Sequence, residues 1–483
     1  MIYEAKVYLG GTGAVLTSTE IMVESYYHGN EVLQRRVLKY PPKRMGEITL
    51  YDFGFITFRL VDRPPIRIIV DKDENPQQKE IWIGGAIVGS GRNLTDKVFF
   101  LKGVELKLPG IIRAESTAKT LAQKDHTNMW ITYYAPKGQS FGFISRQHIK
   151  YLPKVGLNIY NRTTNDLIWG SQSEKSDWGI LHPIFYEFQR FQKYKNMGGS
   201  ATIEALKKYH RNVGGFDVAD SDRISQFAVD IANGLDLIMV PSECSKKAYL
   251  ESGVKSRVEV VPHGLSELYN APSNPFKKIP CDGVIEKEIP EEDITVLFFM
   301  LHSAYRKGAD VVYKAMSKIL GDRSDVHLIV KSVGMNQLCT LPRSMCVSSW
   351  LSETDLIRLY DSADILLSPS RGGGFELNAL EGLARGLIAV TSDWPAIREY
   401  ADPYVLTVKN TGKKVQPLHN NPIHIGHGTD PDPKYFYRTL DYAIKNLDYL
   451  KEKAEERAPE IRKKYSWIKI AKIIRKHLGR NKP

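Results

Sequence analysis

"ADILLSPSRGGGFELNALEGLARGLIAVTSD", residues 363–393, carries the fold reading. A buried strand (ADILL) runs into three glycines, a helix (LNALEGLA) and a second strand (LIAVTSD), the repeating unit of a parallel sheet. The glycine turn bares backbone N–H groups at a helix start, where anions bind well. Glu376 stands at that same start, and its carboxylate opposes a phosphate. The stretch therefore poses a question about which anion the loop is built for.

Outward from this unit the same rhythm holds. "ITVLFFML", "GADVVYKAMSKIL", "VHLIVKS" and "SETDLIRLYDSADILLSPS" alternate strand and helix from residue 294 onward. Upstream, "DSDRISQFAVDIANGLDLIMVPSE", "KKAYLESGV" and "RVEVVPHG" continue it. The opening residues, "AKVYL", "GGTG", "STEIMVESYYHG" and "NEVLQRRVL", read as strand, glycine turn, helix and strand. Residues 45–210 are irregular, with joins such as "DRPPIR" and "WIGGAIVGSGRN", and their strand order is not legible. The expected fold is α/β: two Rossmann-like doubly wound domains facing across a cleft. The expected division is an N-terminal domain with insertions over 1–270, a Pro/Asn/Ser-rich linker over 271–293, a second domain over 294–455 and a terminal helix over 456–483.

With 483 residues, 42% hydrophobic and 25% charged, the chain has the composition of a globular protein of two or more domains. Its longest apolar run, Ile294 to Leu301, is too short to span a bilayer. The start shows no basic region followed by an apolar core, so no secretory signal is expected. The four cysteines lack metal-ligand spacing, which suggests a reducing cytosol; Cys339 and Cys346 are within pairing distance in sequence, but free thiols are the expectation. A formal net charge of +12 favours anionic partners. In "RKKYSWIKIAKIIRKHLGR", Trp467, Ile470, Ile474 and Leu478 fall at helical spacing. That stripe suits packing on the protein itself, and a basic amphipathic helix also suits a membrane surface.

These motifs resemble, in order, those of retaining glycosyltransferases with the GT-B fold, the glycogen-synthase-like and lipid-mannosyltransferase-like group. "PSRGGGFELNALEGLARGLIAVTSD" is similar to the family's P-S-x-x-E-G-F-G-L-x-x-L-E-A loop and helix. "LDLIMVPSECSKKAYLESGV…VEVVPHG" resembles the segments closing its first domain, and "RKGADVVYKAM" its phosphate-binding lysine and following helix. "YYHGNEV" resembles its "RGHEV" segment, and "YSWIKIAKII" the terminal helix that crosses back onto the first domain. The resemblance implies transfer of a sugar from a nucleotide-diphosphate donor to a glycan, lipid or protein hydroxyl. No cofactor and no metal are expected, since a lysine and a helix start meet the diphosphate.

Transfer passes through an oxocarbenium-like state while negative charge grows on the departing diphosphate, which preorganised positive groups must meet. Lys307, on a turn between strand and helix, is the leading candidate. Arg306 lies beside it, and the family's arginine five positions before the lysine is here His302, so the second contact is open between Arg306 and His302. Alone, "RKG" reads as a solvated basic pair. The resemblance gives the N–H groups around Gly373, Gly374 and Phe375 to the diphosphate, and Glu381 to the ribose hydroxyls. Glu381 is also placed for an i,i+4 pair with Arg385. The family's first motif glutamate is replaced by Gly373, and Glu376 stands where the family has glycine. Either Glu376 turns to the sugar hydroxyls, or it is a helix-start charge facing solvent.

In the first domain, Gly11, Thr12 and Gly13 suit close approach of donor or acceptor. A GGTG turn also opens NAD-dependent epimerases of the short-chain type, although no Tyr-x-x-x-Lys pair accompanies it. Where many family members carry a histidine near the sugar, this chain reads "GGFDVADSD". Asp217 is the candidate there to stabilise the cationic ring or orient the acceptor, while "DSD" also reads as a helix start. The histidines of "PLHNNPIHIGHG" are irregularly spaced for a metal. The expectation is a metal-independent cytoplasmic hexosyltransferase in glycan biosynthesis, with peripheral membrane contact through the basic surface as a further expectation. The alternatives are an inactive GT-B module binding glycan or nucleotide, a sugar-nucleotide epimerase, and, from charge alone, a nucleic-acid-modifying enzyme.

Overall fold

The computed structural model describes residues 129–479, apart from 137–138, 170–174, 273–276, 282–284, 302 and 350, together with strands within residues 7–105. Two compact units form, residues 1–124 and 125–483. In the first unit, Ala14–Tyr27 pairs antiparallel with Glu31–Tyr40 and with Ile66–Lys72, which in turn pairs with Lys79–Ile83. The helix expected over "STEIMVESYYHG" is thus a strand, and the opening strand–helix–strand unit is not formed. The reason is local: Val15, Thr17, Thr19, Ile21 and Val23 place a β-branched side chain at every second position. The glycine turn at 11–13 lies outside the described residues.

The second unit holds both parallel sheets. The first has the order Asn158–Thr163, Trp130–Ala135, Ser176–Leu181, His210–Phe216, Leu237–Val240, Val258–Val260, parallel throughout. It therefore begins at Trp130, inside the stretch whose strand order the sequence did not reveal. The second sheet runs Ser344–Val347, Val326–Ser332, Ile294–Met300, Ile365–Ser368, Ile388–Ser392, Leu406–Val408. In chain order that is 3-2-1-4-5-6, the doubly wound pattern, with its switch point between Ile294–Met300 and Ile365–Ser368. Strands such as Ile294–Met300 and Ile388–Ser392 are buried nearly throughout, as a sheet covered on both faces requires. The join between the sheets contains a hairpin, Lys278–Cys281 with Ile285–Glu288.

The terminal helix, Trp467–Gly479, lies back on the first sheet. Trp467, Ile470, Ile474 and Leu478 are buried against Ile131, Ile144, Trp178 and Met239. Each such side chain contributes about 1.5–3 kcal/mol on burial. Trp178 Nε1 donates to the Leu478 carbonyl at 3.2 Å, and Leu265 N to the Tyr465 carbonyl at 2.7 Å. The apolar stripe is thus covered by the protein itself. Among the described residues no helix is long and apolar enough to cross a membrane. Cys339 and Cys346, expected as free thiols, are joined in a disulfide with Cα atoms 5.5 Å apart. The turn Gln337–Thr340 brings the first back to the strand Ser344–Val347 carrying the second.

Candidate active site

The second sheet places two turns side by side at its switch point. Strand Ile294–Met300 leads to Arg306 and Lys307, then to the helix Ala309–Asp322. The adjacent strand, Ile365–Ser368, leads to the glycine loop and the helix Leu377–Ala384. Ligands of open α/β sheets bind outside the carboxyl ends of strands at this point. His302 lies outside the described residues.

Lys307 Nζ bonds the Glu376 carboxylate. Burial pushes the lysine pKa below its ordinary value, while Glu376 pulls it back up. The other Glu376 oxygen accepts from Ser370 Oγ at 2.8 Å and lies 3.7 Å from Arg306 Nη1. Glu376 is 2% exposed, so it is not a solvent-facing helix charge. Its carboxylate fills a particular place: a Cβ added to Gly373 would sit 2.7 Å from Glu376 Oε1 and 3.3 Å from Arg306 Nη1. The carboxylate from 376 thus stands where a side chain at 373 would begin. Arg306 is itself buried; its Nη1 donates to the Gly372 carbonyl at 3.0 Å, and its Nε–H has no partner among the described residues.

The glycine loop is fixed by Trp394 Nε1 to the Gly373 carbonyl at 2.8 Å and Ser242 Oγ to the Gly374 carbonyl at 2.7 Å. Gly374 N donates to Asp220 Oδ1 at 2.9 Å, and Asp220 Oδ2 lies 3.8 Å from Arg306. Although burial opposes it, the charges of Arg306, His424 and Lys307 and the Gly374 bond hold Asp220 at about 2. Phe375 stacks on Tyr400 with ring centroids 4.5 Å apart and meets His263 at 4.9 Å. Glu381 is buried, accepts from Tyr360 Oη at 2.6 Å and is pushed up to about 7 by burial. Its expected pair with Arg385 is not formed, because Arg385 turns to Asp361 at 2.7 Å.

Lys307, Arg306, Glu376 and the glycine loop are thus brought together, with Asp220, which the sequence offered only as part of the "DSD" helix start. Asp217 stands apart. Its Oδ2 accepts from Ile184 N and Phe185 N, both at 2.9 Å, and its Oδ1 from Val218 N at 2.8 Å. Burial raises it to about 7. It ties the start of the helix Phe185–Lys195 to the end of strand His210–Phe216. The sequence reading also passed over His182, next to the end of strand Ser176–Leu181. Its Nδ1 and that of His148 both lie 2.8 Å from Tyr133 Oη. A histidine directly after a buried parallel strand was the available signal.

Comparison with known proteins accords with this geometry. Residues 293–416 match the family described as "Glycosyl transferases group 1". "Putative glycosyltransferase 45" of Sulfolobus islandicus filamentous virus is 31% identical over 288 residues, 57% of this chain and 76% of that protein. The chain belongs to the group 1 glycosyl transferases. This glycosyltransferase is also 27% identical to "Uncharacterized protein 356" of Sulfolobus islandicus rod-shaped virus 1 over 66% of its own length and 88% of that protein's. In fold it is similar to the UDP-forming trehalose-phosphate synthase of Burkholderia xenovorans, with TM-score 0.51 and 11% identity over 73% of this chain and 99% of that one. The two sheets of the glycosyltransferase therefore form a GT-B fold.

The Asp217 contacts give a first expected result. Asp217→Ala strands three backbone N–H groups and lowers stability by roughly 1–3 kcal/mol in a denaturant melt. The affinity for nucleoside diphosphate stays within about twofold, since any loss of that helix cap alone costs stability rather than slot contacts.

Proposed function

We propose that this glycosyltransferase moves a sugar from a nucleotide-diphosphate sugar to an acceptor hydroxyl with retention, without a metal ion. The observation that carries the reading is the convergence of Lys307, Arg306 and the helix start at Gly374–Phe375 on adjacent strands at the switch point. Lys307 meets the charge that grows on the departing diphosphate, and the Arg306 Nε–H, unpartnered among the described residues, is a further donor for it. Glu376 supports the donor sugar from the place the family's first glutamate would fill. Glu381 takes the ribose hydroxyls, and the acceptor enters from the first-sheet side, near His182. A thermal-shift panel of UDP, GDP and ADP sugars, followed by assay of donor cleavage, tests it. A donor at a hundred times its Kd stabilises by about 2.7 kcal/mol. No shift with any donor, and no cleavage, would remove the reading.

Glu381 separates nucleotide binding from stability. Its raised pKa means the folded state holds the proton more tightly than the unfolded chain. Its contribution is full below the ordinary carboxylate range, falls as pH rises toward about 7, and stays low above that. Glu381→Gln keeps an acceptor for Tyr360 and removes this slope, so the variant melts no lower than the parent at pH 8. Its affinity for free nucleoside diphosphate at pH 8 falls by roughly 1.5–3 kcal/mol, the loss of a charged hydrogen bond to ribose. At pH 6, where the parent carboxyl is largely protonated, the difference shrinks. Calorimetric titration at both pH values measures it.

A further inference from the structure

The anion slot is already filled by the protein. Gly374 N–H points at Asp220 Oδ1, and the other Asp220 oxygen faces Arg306. The segment carrying Asp220 comes from the first sheet and lies tightly on the glycine loop: a Cβ on Gly372 would sit 2.3 Å from the Asp220 carbonyl oxygen and 2.8 Å from Pro417 Cγ. Asp220 and Glu376 together match the charges of Arg306 and Lys307, so the slot has little net positive charge to offer a diphosphate. Yet Arg306 keeps a buried Nε–H with no partner among the described residues, one contact that these carboxylates leave unmade. A buried donor left unsatisfied calls for an explanation, and an incoming anion supplies one.

A second element holds the segment in place. Residues 417–428 leave the second sheet's part of the chain just beyond the family match, which ends at 416. This strap reaches the segment after Asp220. Asp222 N donates to the His427 carbonyl at 2.9 Å, and His427 N to Asp222 Oδ1 at 2.7 Å. Gly426 N donates to Ser221 Oγ at 3.2 Å, and Ser225 N to the Ile423 carbonyl at 2.8 Å. Ile423 is fully buried in the core under the first sheet, and Asp220 N donates to His424 Nδ1 at 3.4 Å.

We propose that Asp220 is a gate residue of the donor site: in the donor-free protein its carboxylate holds the place of a phosphate oxygen at Gly374 N–H and Arg306, and the strap 417–428 keeps it there until an anion displaces it. The inference rests on the donor reading above and adds a competition to it. Donor affinity is then set by the slot's cations and by the carboxylate that must leave.

Inorganic pyrophosphate is the probe, titrated calorimetrically into the full chain. Asp220→Ala binds it at least tenfold more tightly than the parent, and Asp220→Asn gains less. Asp222→Ala, which removes the strap's side-chain bond from His427 N without touching the slot, shifts affinity in the same direction. In the parent, pyrophosphate speeds amide exchange at Asp222, Ser225, Gly426 and His427. Adding Lys307→Ala to Asp220→Ala removes the gain, which places the binding in this slot. Equal or weaker binding in both Asp220 variants, still lost on Lys307→Ala, overturns the gate and leaves the donor reading standing. If pyrophosphate binds neither parent nor variants, the gate and the donor reading fall together.

Discussion

Lys307→Ala lowers turnover by about two to three powers of ten, the effect of losing one preorganised donor to transition-state charge. The side chain stands on a strand–turn–helix join at the switch point, and its ammonium bonds Glu376. Removing it also strands the Glu376 carboxylate, which keeps Ser370 Oγ and a more distant Arg306. A second effect on stability is therefore expected, and a double variant separates the two. Lys307→Ala with Glu376→Gln removes both charges and recovers most of the melting temperature, but not the turnover. Binding of the bare nucleoside changes little, because it lacks the phosphates that Lys307 meets. Single-turnover donor cleavage with nucleoside and nucleoside diphosphate titrations separates these terms. A kcat equal to the parent's in Lys307→Ala would take away the central contact of the proposed reaction.

The exchange of residues at 373 and 376 makes the second large prediction. Glu376→Gln lowers turnover with the full donor by about a hundredfold if the carboxylate supports the sugar. Binding of the bare diphosphate is unchanged or improved, since a negative charge has left a phosphate site. Gly373→Glu alone brings its Cβ within 2.7 Å of Glu376 Oε1 and adds a second carboxylate to a crowded site, and lowers stability by about 3 kcal/mol. The reciprocal variant, Gly373→Glu with Glu376→Gly, relieves that crowding and brings a carboxylate to the same place from the family's usual position. Its turnover recovers at least tenfold over Gly373→Glu. A reciprocal variant as stable as the parent and as inactive as Glu376→Gln would show that the site needs the carboxylate from 376 for another reason.

How much of this was legible differs between the sheets. The second sheet was readable because strands such as "ITVLFFM" and "IAVTS" are continuous apolar runs between amphipathic helices. The terminal helix was readable for the same reason, its apolar stripe recurring at helical spacing. In the first sheet the last two strands, Leu237–Val240 and Val258–Val260, were read as well, but the four before them were not. Its interior includes Tyr133, Tyr134 and His210, whose polar atoms find partners inside the protein, as Tyr134 Oη does with His210 Nε2 at 3.0 Å. Strands such as "WITYYA" and "HRNVGGF" therefore look half-polar in sequence. The cluster of Lys307, Arg306 and the glycine loop was legible because each lies on a motif. That Glu376 fills the place of a side chain at 373 depends on a rotamer, and that Asp220 meets Gly374 depends on contact across 154 residues. Neither leaves a local pattern.

The return of the last helix to the first sheet also governs how the chain is made. Trp467, Ile470, Ile474 and Leu478 cover Ile131, Ile144, Trp178 and Met239, yet they leave the ribosome ~200 residues after the last strand of that sheet. At ~5–20 residues per second, that apolar face waits on the order of 10–40 s for its cover. During synthesis the first sheet is therefore the vulnerable part, open to misassociation until that helix emerges. A chain stopped after the second sheet would be complete in its nucleotide-side motifs and still carry the exposed face of an unfinished partner.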